Sequence, residues 1–365
     1  MRINPFVFIL LAAAMSVFGQ DVVQPGLQQH SWDVFTRRNA ENPAQTDLIF
    51  INLLSGERTT IGAAGEHFTL TNGGVIYLDR QASQVKLAKA DGIVRDHPFI
   101  HASSDARHVD WVLSQDGDQI VWTISRIVDD GQLITATWLA DIAGAEIREL
   151  LVYGPREGIR LLPIAFGENE SEIYMEAHAD GSESLSAYTR RTGLFALAVT
   201  ADELHTRALP GAPNCLCAVG FGANRMLRLA PDIDSGGLEV EVYPLDGGER
   251  QVIPALSHGN YRDGGNILVS EDGTQAIYAL SRARDSAAEI DEIRTLLVHV
   301  DISNGRQRIA GSPITDLARP LAFTDDDRAV LFTTGQRALT YKLDLENGRQ
   351  AEVADAVYLG QLGDH

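Results

Sequence analysis

The sequence predicts an all-β protein, and within that class a β-propeller built from four-stranded blades. Three observations support this prediction: a hairpin pattern that recurs along the chain, strands that are apolar on both faces, and an incomplete unit at each end of the repeat. Segments with helical periodicity are nearly absent. Residues 286–293 are the one helical candidate, and they fall in a predicted loop.

The recurring hairpin consists of a strand, a tight glycine turn and a return strand. Residues 299–309 and 342–353 show it most clearly, with Asn-Gly in both turns. Asn-Gly, Asp-Gly and Gly-Gly supply the positive φ angles that two-residue hairpin turns need. The turn glycines of the seven copies are Gly56, Gly92, Gly144, Gly193, Gly248, Gly305 and Gly348. Their spacing is typical of propeller blades.

A second hairpin precedes the glycine hairpin in most units, for example in residues 109–125 and 265–281. Each unit therefore holds four predicted strands, labelled A to D in chain order. Strands such as 161–166 and 329–334 are apolar on both faces, so a sheet made from them must be covered on both sides. Radial stacking supplies both covers, and closing the ring removes the exposed ends.

The chain ends predict how the ring closes. The first unit has B and C strands at 32–38 and 47–53 and a D strand after them, but it has no A strand. Residues 356–362 form one more predicted strand after the last unit. If this strand serves as strand A of the first blade, the ring closes with seven blades. Six blades are the alternative if the shortest unit, 63–95, is not a full blade.

The first residues are typical of a secretory signal peptide. Arg2 precedes an apolar run, and Val17 and Gly19 suit the small positions of a signal peptidase site. We expect a cleaved signal peptide at 1–19, an N-terminal extension at 20–31 and a single propeller domain at 32–362. The apolar run is short for a membrane span, so we expect an exported protein, periplasmic or extracellular, with no stable span after cleavage.

Net charge and cysteine content restrict the function classes. A formal net charge of −20 disfavours nucleic acid as a partner. Cys215 and Cys217 are the only two cysteines, and on a strand they point the same way at a spacing that strains a bridge. We interpret them as two small buried side chains, with a redox pair or a metal site as the alternatives.

Several segments resemble the repeats of the TolB-type and WD-repeat-like propeller superfamily. The matches include SQDG at 114–117, PLDGGE at 244–249, SEDG at 270–273 and AIYAL at 276–280. The resemblance covers roughly residues 32–362 and implies a propeller fold. Known relatives are periplasmic or secreted interaction modules, or lids of larger peptidases. No Gly-x-Ser-x-Gly nucleophile elbow occurs in the sequence.

A propeller has two unlike faces. The A–B and C–D turns lie on one, here called the turn face, and the B–C and D–A connections lie on the other, the loop face. The predicted turn-face turns are short, whereas the long segments are 38–46, 95–108, 125–132, 153–160, 200–214, 231–237, 256–264 and 281–293. Because long connections on a rigid scaffold commonly carry binding, we expect the site at the channel mouth of the loop face. The candidate ligand-binding residues are His97, His101, Asp105, His108, Arg156, His205 and His258.

Two functions follow from this pattern. The first is a monomeric, non-catalytic binding module with a protein or glycan partner. The alternative is a lactonase-like hydrolase or lyase with a divalent metal, such as calcium, at the channel mouth. Asp232 and Asp234 resemble the start of a calcium loop, although a plain turn is favoured. No residue is assigned a catalytic role.

Overall fold

The structure is a computed structural model that describes residues 31–181, 188–199, 205–211, 215–256, 258–282, 293–324, 326–335 and 338–363. The predicted signal peptide and nearly all of the N-terminal extension lie outside these ranges. So do residues 286–292 of the helical candidate. The described residues form seven four-stranded antiparallel sheets arranged in a ring, so the protein is a seven-bladed β-propeller.

The strands are numbered along the chain, and each blade contains strands A to D. Blade 1 contains β28 (Val357–Leu362), β1 (Trp32–Arg38), β2 (Thr46–Asn52) and β3 (Arg58–Ala63); blade 2 contains β4 (Gly65–Thr71), β5 (Gly74–Asp79), β6 (Gln84–Ala88) and β7 (Val94–Asp96). Blade 3 contains β8 (Ala106–Leu113), β9 (Gln119–Ile127), β10 (Gln132–Asp141) and β11 (Arg148–Glu157).

The remaining blades follow the same order. Blade 4 contains β12 (Ile159–Phe166), β13 (Glu172–Ala179), β14 (Leu194–Ala198) and β15 (Thr206–Ala208); blade 5 contains β16 (Val219–Gly222), β17 (Arg225–Pro231), β18 (Leu238–Pro244) and β19 (Gln251–Ile253). Blade 6 contains β20 (Tyr261–Val269), β21 (Gln275–Arg282), β22 (Thr295–Asp301) and β23 (Arg306–Ile314); blade 7 contains β24 (Ala318–Phe323), β25 (Ala329–Thr334), β26 (Thr340–Asp344) and β27 (Gln350–Ala354). A three-residue 3-10 turn at Asp129–Gly131 links β9 to β10.

Burial follows the two-sided apolar pattern of the sequence. Every residue of β22 from Thr295 to Val300 is buried, whereas all three residues of the outermost strand β15 are exposed. The apolar clusters lie between neighbouring blades; one joins Ile76 and Val85 of blade 2 to Trp111 and Trp122 of blade 3. Fully burying a side chain of this size contributes about 1.5–3 kcal/mol, so the blade interfaces hold the ring together.

The ring closes as the sequence predicts. Strand β28 pairs antiparallel with β1, with Leu362 opposite Trp32 and Val357 opposite Thr36. Residues 63–95 supply a full blade, so the six-blade alternative is wrong. Leu362 is buried, while Val357 is only half-buried. Closure therefore depends on the hydrogen-bonded ladder as well as on apolar burial.

Blade 4 departs from the prediction. The sequence places its C–D turn at Gly193, but Gly193 precedes strand C, and the C–D connection spans residues 199–205. The reason is a contact with the next blade, because Arg191 pairs as an isolated bridge with Cys217 and cannot continue strand C. Residues 200–214 are consequently not one long loop-face connection, since β15 lies inside them.

The cysteines also differ from the expectation of two separate buried side chains. Cys215 and Cys217 form a disulfide, with their Cα atoms 5.3 Å apart. The isolated bridge to Arg191 holds Cys217 at the end of blade 5 that faces blade 4.

Deleting residues 356–365 should lower the melting temperature sharply, because it removes strand A of blade 1 and exposes β1. The measurement is thermal unfolding of the deletion variant beside the parent protein. A synthetic peptide of residues 355–365 added in excess should restore part of the lost stability by pairing with β1. An unchanged melting temperature would show that the ring does not depend on this strand.

Two buried histidines predict acid sensitivity. Burial lowers the pKa of His97 from 6.5 to about 4, with a further contribution from nearby His101. Burial also lowers the pKa of His299 from 6.5 to about 4, and Arg308 adds to the effect. Between pH 6.5 and about 4 both groups stay neutral in the folded state, whereas the unfolded chain takes up protons. Stability therefore falls as the pH drops from 6.5 towards 4.

A double variant, His97→Asn with His299→Gln, should show a shallower loss of stability across this pH window in urea unfolding. The exposed His258→Gln substitution serves as the control and should leave the slope unchanged. A double variant that loses stability with falling pH as steeply as the parent protein would contradict the lowered pKa of these two histidines.

Candidate functional site

The central channel opens on the turn face into a cavity of about 520 Å³, here called the turn-face cavity. Its wall comes from five consecutive blades, each contributing the end of strand A and the A–B turn. The main contributing segments are 112–115, 164–168, 221–225, 268–271 and 323–327. Since these segments lie far apart in sequence, the ring is what brings them together.

Aromatic and aliphatic side chains form the walls of this cavity. Phe166, Phe221 and Phe323 line it, and Tyr174 stacks on Phe221 with ring centroids 5.1 Å apart. The inner strand of blade 5 is unusually close to its neighbour, because a Cβ at Gly220 would lie 2.8 Å from the side chain of Ile267. Glycine at this position allows β16 to approach β20 closely.

The rim of the turn-face cavity is acidic. Glu168, Glu271 and Asp327 are among its lining residues. The guanidinium of Arg225 also lines the cavity and donates a 2.6 Å hydrogen bond to the carbonyl oxygen of Gly273. Burial raises the pKa of Asp327, and the neighbouring carboxylates of Asp272, Glu271 and Asp326 raise it further. The three neighbouring carboxylates make the local potential at this part of the rim negative.

Turn chemistry explains how Asp327 comes to be here. Its φ angle is +52°, a left-handed conformation that Asp and Asn adopt more readily than most residues. Its backbone N–H donates to the carbonyl oxygen of Thr324 at 2.7 Å, which closes the A–B turn of blade 7. The sequence at 324–328 therefore predicts a turn. It does not predict that the side chains of this turn reach the channel.

The histidines predicted at the loop face are engaged in contacts within the protein. His97 is buried, and its Nδ1 accepts a 3.1 Å hydrogen bond from the N–H of Ile100. Its ring packs edge-on against the ring of Phe99, with the two ring centroids 4.5 Å apart. The Nε2 of His108 lies 2.7 Å from a carboxylate oxygen of Asp180. The His97 imidazole thus makes its contacts within its own connection, and His108 of β8 joins blade 3 to the residue that follows β13 of blade 4.

The structure does not bring the other predicted residues together. His101 and Asp105 are exposed, the Arg156 guanidinium lies 5.9 Å from the ring centroid of Tyr153, and the ring of His258 lies 5.4 Å from that of Tyr261. His205 directly precedes β15 in the C–D connection of blade 4, so it lies on the turn face. The prediction that it belongs to a loop-face connection is wrong.

Metal binding stays a prediction. Among the residues that the structure describes, no group of three or more His, Cys, Asp or Glu side chains is arranged to hold a metal ion. Asp232 accepts hydrogen bonds from the N–H of Asp234 at 3.1 Å and from the hydroxyl of Ser235 at 2.5 Å, as in an ordinary turn.

Ion pairs between blades were missed by sequence analysis. Arg160 of β12 donates to Asp110 of β8 across blades 3 and 4, and both side chains are largely buried. Arg190 donates to Asp263 on β20, which joins blade 4 to blade 6. Such partners lie 50 or more residues apart, so no local pattern indicates them.

Comparison with known proteins supports the fold alone. No protein-family model matches the sequence, and comparison with curated proteins gives no match either. An oligogalacturonate lyase from Vibrio parahaemolyticus superposes with a TM-score of 0.58 at 11% identity, over 86% of this chain and 92% of the lyase. A puromycin-hydrolysing peptidase from Mycobacterium tuberculosis gives 0.57 at 14% identity, over 90% of this chain and 53% of the peptidase.

A third solved structure, an acylaminoacyl peptidase from Pyrococcus horikoshii, superposes with a TM-score of 0.52 at 14% identity and shares 50% of its length with this chain. These neighbours include a lyase and two peptidases, so the shared fold is compatible with more than one activity. The protein is thus defined as a seven-bladed β-propeller.

Within the described residues, no helix is long and apolar enough to cross a membrane.

Replacing Asp327 with Asn should raise the melting temperature slightly at pH 7. The raised pKa means that Asp327 stabilises the fold only when protonated, and this contribution is lost as the pH rises through the folded pKa. Asn keeps the left-handed turn and removes the charge. Near pH 3 the carboxyl is largely protonated in both states, so the difference should disappear.

Asp344→Asn is the matched control, and it should change the melting temperature in the opposite direction. Backbone hydrogen bonds from Asn347 and Glu346 lower the pKa of Asp344, so its charge stabilises a C–D turn at neutral pH. Thermal melts at pH 7 should rank Asp327→Asn above the parent protein and Asp344→Asn below it. The reverse order would contradict the electrostatic description of the rim.

Proposed function

We propose that this propeller is an exported, non-catalytic binding module that receives a basic segment of a protein partner in the turn-face cavity. The observation that carries the proposal is the composition of that cavity: aromatic walls beneath a rim that includes Glu168, Glu271 and Asp327. Support for export comes from the signal-peptide pattern at residues 1–19.

Charge favours a cationic group. The formal net charge of −20 steers positively charged partners towards the protein, and the rim concentrates that field at the channel mouth. Arg225, the cation in the described lining, already donates to the carbonyl oxygen of Gly273. A lysine or arginine side chain entering the cavity would meet carboxylates at the rim.

The walls favour a long, amphipathic side chain. Lysine and arginine carry an apolar stem that can pack on Phe166 and Phe323, and their cationic ends are attracted to aromatic faces. Partner groups of this kind fit a cavity of about 520 Å³ without displacing a blade. This pairing of aromatic wall and acidic rim favours recognition of a basic peptide over a neutral glycan, and binding over the hydrolase or lyase alternative.

The proposed site differs from the loop-face mouth expected from the sequence. The loop-face histidines His97 and His108 are engaged by the protein's own groups, and the Asp110–Arg160 pair is largely buried. The turn face instead presents carboxylates around an open cavity. Short turns supply this site because five of them converge on one axis.

Binding of a fluorescent lysine-rich hexapeptide to the mature chain tests the proposal, with a glutamate-rich hexapeptide of equal length as the probe control. Neutralising the rim should weaken binding at least ~10-fold, and added salt should weaken it in the parent protein. The rim variant carries Glu168→Gln, Glu271→Gln and Asp327→Asn.

A charge-matched control separates a defined site from general attraction. It neutralises three exposed carboxylates that do not line the cavity: Glu41→Gln, Glu57→Gln and Glu346→Gln. This control should bind the lysine-rich peptide within about twofold of the parent protein. Equal weakening by both triple variants, or binding of the acidic peptide, would contradict the proposal, as would failure of the parent protein to bind the basic peptide.

A further inference from the structure

A second cavity lies between blades 4 and 5, on the side of the loop-face connections. Its volume is about 290 Å³. Strands β14 and β15 of blade 4 form one wall, and β16 and β17 of blade 5 form the other. The Cys215–Cys217 disulfide also lines this space, which we call the disulfide cavity.

The two cysteines differ in how exposed they are and in how firmly their backbone is held. Cys217 is 3% exposed, and its backbone exchanges two hydrogen bonds with Arg191, at 2.8 Å and 3.2 Å. Cys215 is half-buried and borders the same cavity. The bridge therefore presents one approachable residue and one fixed, buried residue.

A structural staple is a poor explanation for this bridge. The stabilisation that a disulfide gives by restricting the unfolded chain grows with the length of the loop it closes. Here the sequence separation is 2, close to the shortest loop that a disulfide can close. A bridge with one half-buried residue at a cavity is more open to attack by a thiol than a bridge whose two residues are both fully buried.

The wall of the disulfide cavity carries three arginine residues although the protein is acidic. Arg191, Arg207 and Arg228 line it, and its described lining residues include no Asp or Glu. The carboxylates of Glu176 and Glu241, which pair with Arg191 and Arg228, are 1% and 4% exposed and lie outside the lining. The guanidinium-bearing residues thus line the cavity while their carboxylate partners do not, and this holds also for Arg207, which pairs with Glu172 outside the lining.

We propose that Cys215 and Cys217 form a thiol–disulfide exchange site that takes a small thiol bearing carboxylate groups. The arginines attract the carboxylates of the incoming molecule, and cations next to sulfur favour the thiolate form. This site is separate from the turn-face cavity, so it does not depend on the binding function proposed above.

The exchange balances as follows. An incoming thiolate attacks Sγ of Cys215 and forms a mixed disulfide; the bond between the two cysteine sulfurs breaks, and its electron pair leaves on Sγ of Cys217 as a thiolate. A second thiolate attacks the sulfur of the bound small molecule, which departs as a symmetric disulfide and releases Cys215 as a thiolate. The protein bridge is reduced by two electrons, and two small thiols are oxidised.

Single-cysteine variants test which sulfur is approachable. Cys217→Ser leaves Cys215 free, and Cys215→Ser leaves Cys217 free. With oxidised glutathione as the probe and intact-mass detection, Cys217→Ser should form a mixed disulfide at least ~10-fold faster than Cys215→Ser. Equal rates, or the reverse order, would overturn the proposal.

The charge preference is tested on the parent protein with three thiols of similar size: 3-mercaptopropionate, 2-mercaptoethanol and cysteamine. Rates of bridge reduction, corrected for the thiolate fraction of each reagent, should rank anionic above neutral above cationic. Arg207→Gln should reduce the anionic preference several-fold, while Arg349→Gln, an exposed arginine in blade 7, should not. A bridge that resists all three thiols until the protein unfolds, or rates that ignore reagent charge, would overturn the proposal.

Discussion

Every part of this molecule depends on one constraint, the need to cover both faces of each four-stranded sheet. A strand such as β22, buried from Thr295 to Val300, loses stability wherever one face meets water. Neighbouring blades provide the cover, and the requirement is satisfied for every blade only when the last is followed by the first. The pairing of β28 with β1 is therefore the contact on which the blade interfaces, the channel and both cavities depend.

Ring geometry explains why the two faces differ in use. On the turn face, short A–B turns converge on the axis, so acidic residues that serve each turn locally, such as Asp327, also face a common space. Away from the turn face, charged groups of different blades satisfy one another inside the protein, as in the Asp110–Arg160 and Arg190–Asp263 pairs. Long connections mark positions where the sequence is free to vary. Turns that converge on the axis mark the place where a ligand can be surrounded.

Blade 4 shows how one contact between blades redirects a local pattern. Residues 188–197 have the sequence of a hairpin, yet Arg191 bonds to the backbone of Cys217 in blade 5 and strand C begins only at Leu194. The shift moves the C–D connection to 199–205 and opens the cavity beside the disulfide. Arg191 also reaches the buried Glu176, so one residue links the blade interface, a buried charge and the cavity wall.

The sequence by itself determined the propeller and its closing strand and favoured seven blades over six, because turn glycines and two-sided apolar strands are local signals that repeat. Six of its seven predicted C–D turns lie between the expected strands, among them those at Gly56 and Gly348. Only the tertiary structure decided which side chains share a cavity. Glu168 and Asp327, or Cys215 and Arg191, come together because blades curve around an axis and pack, and no residue pattern within one blade records which distant turn will face it. The burial of His97 and the position of His205 on the turn face were likewise set by packing between blades and by the altered path of blade 4.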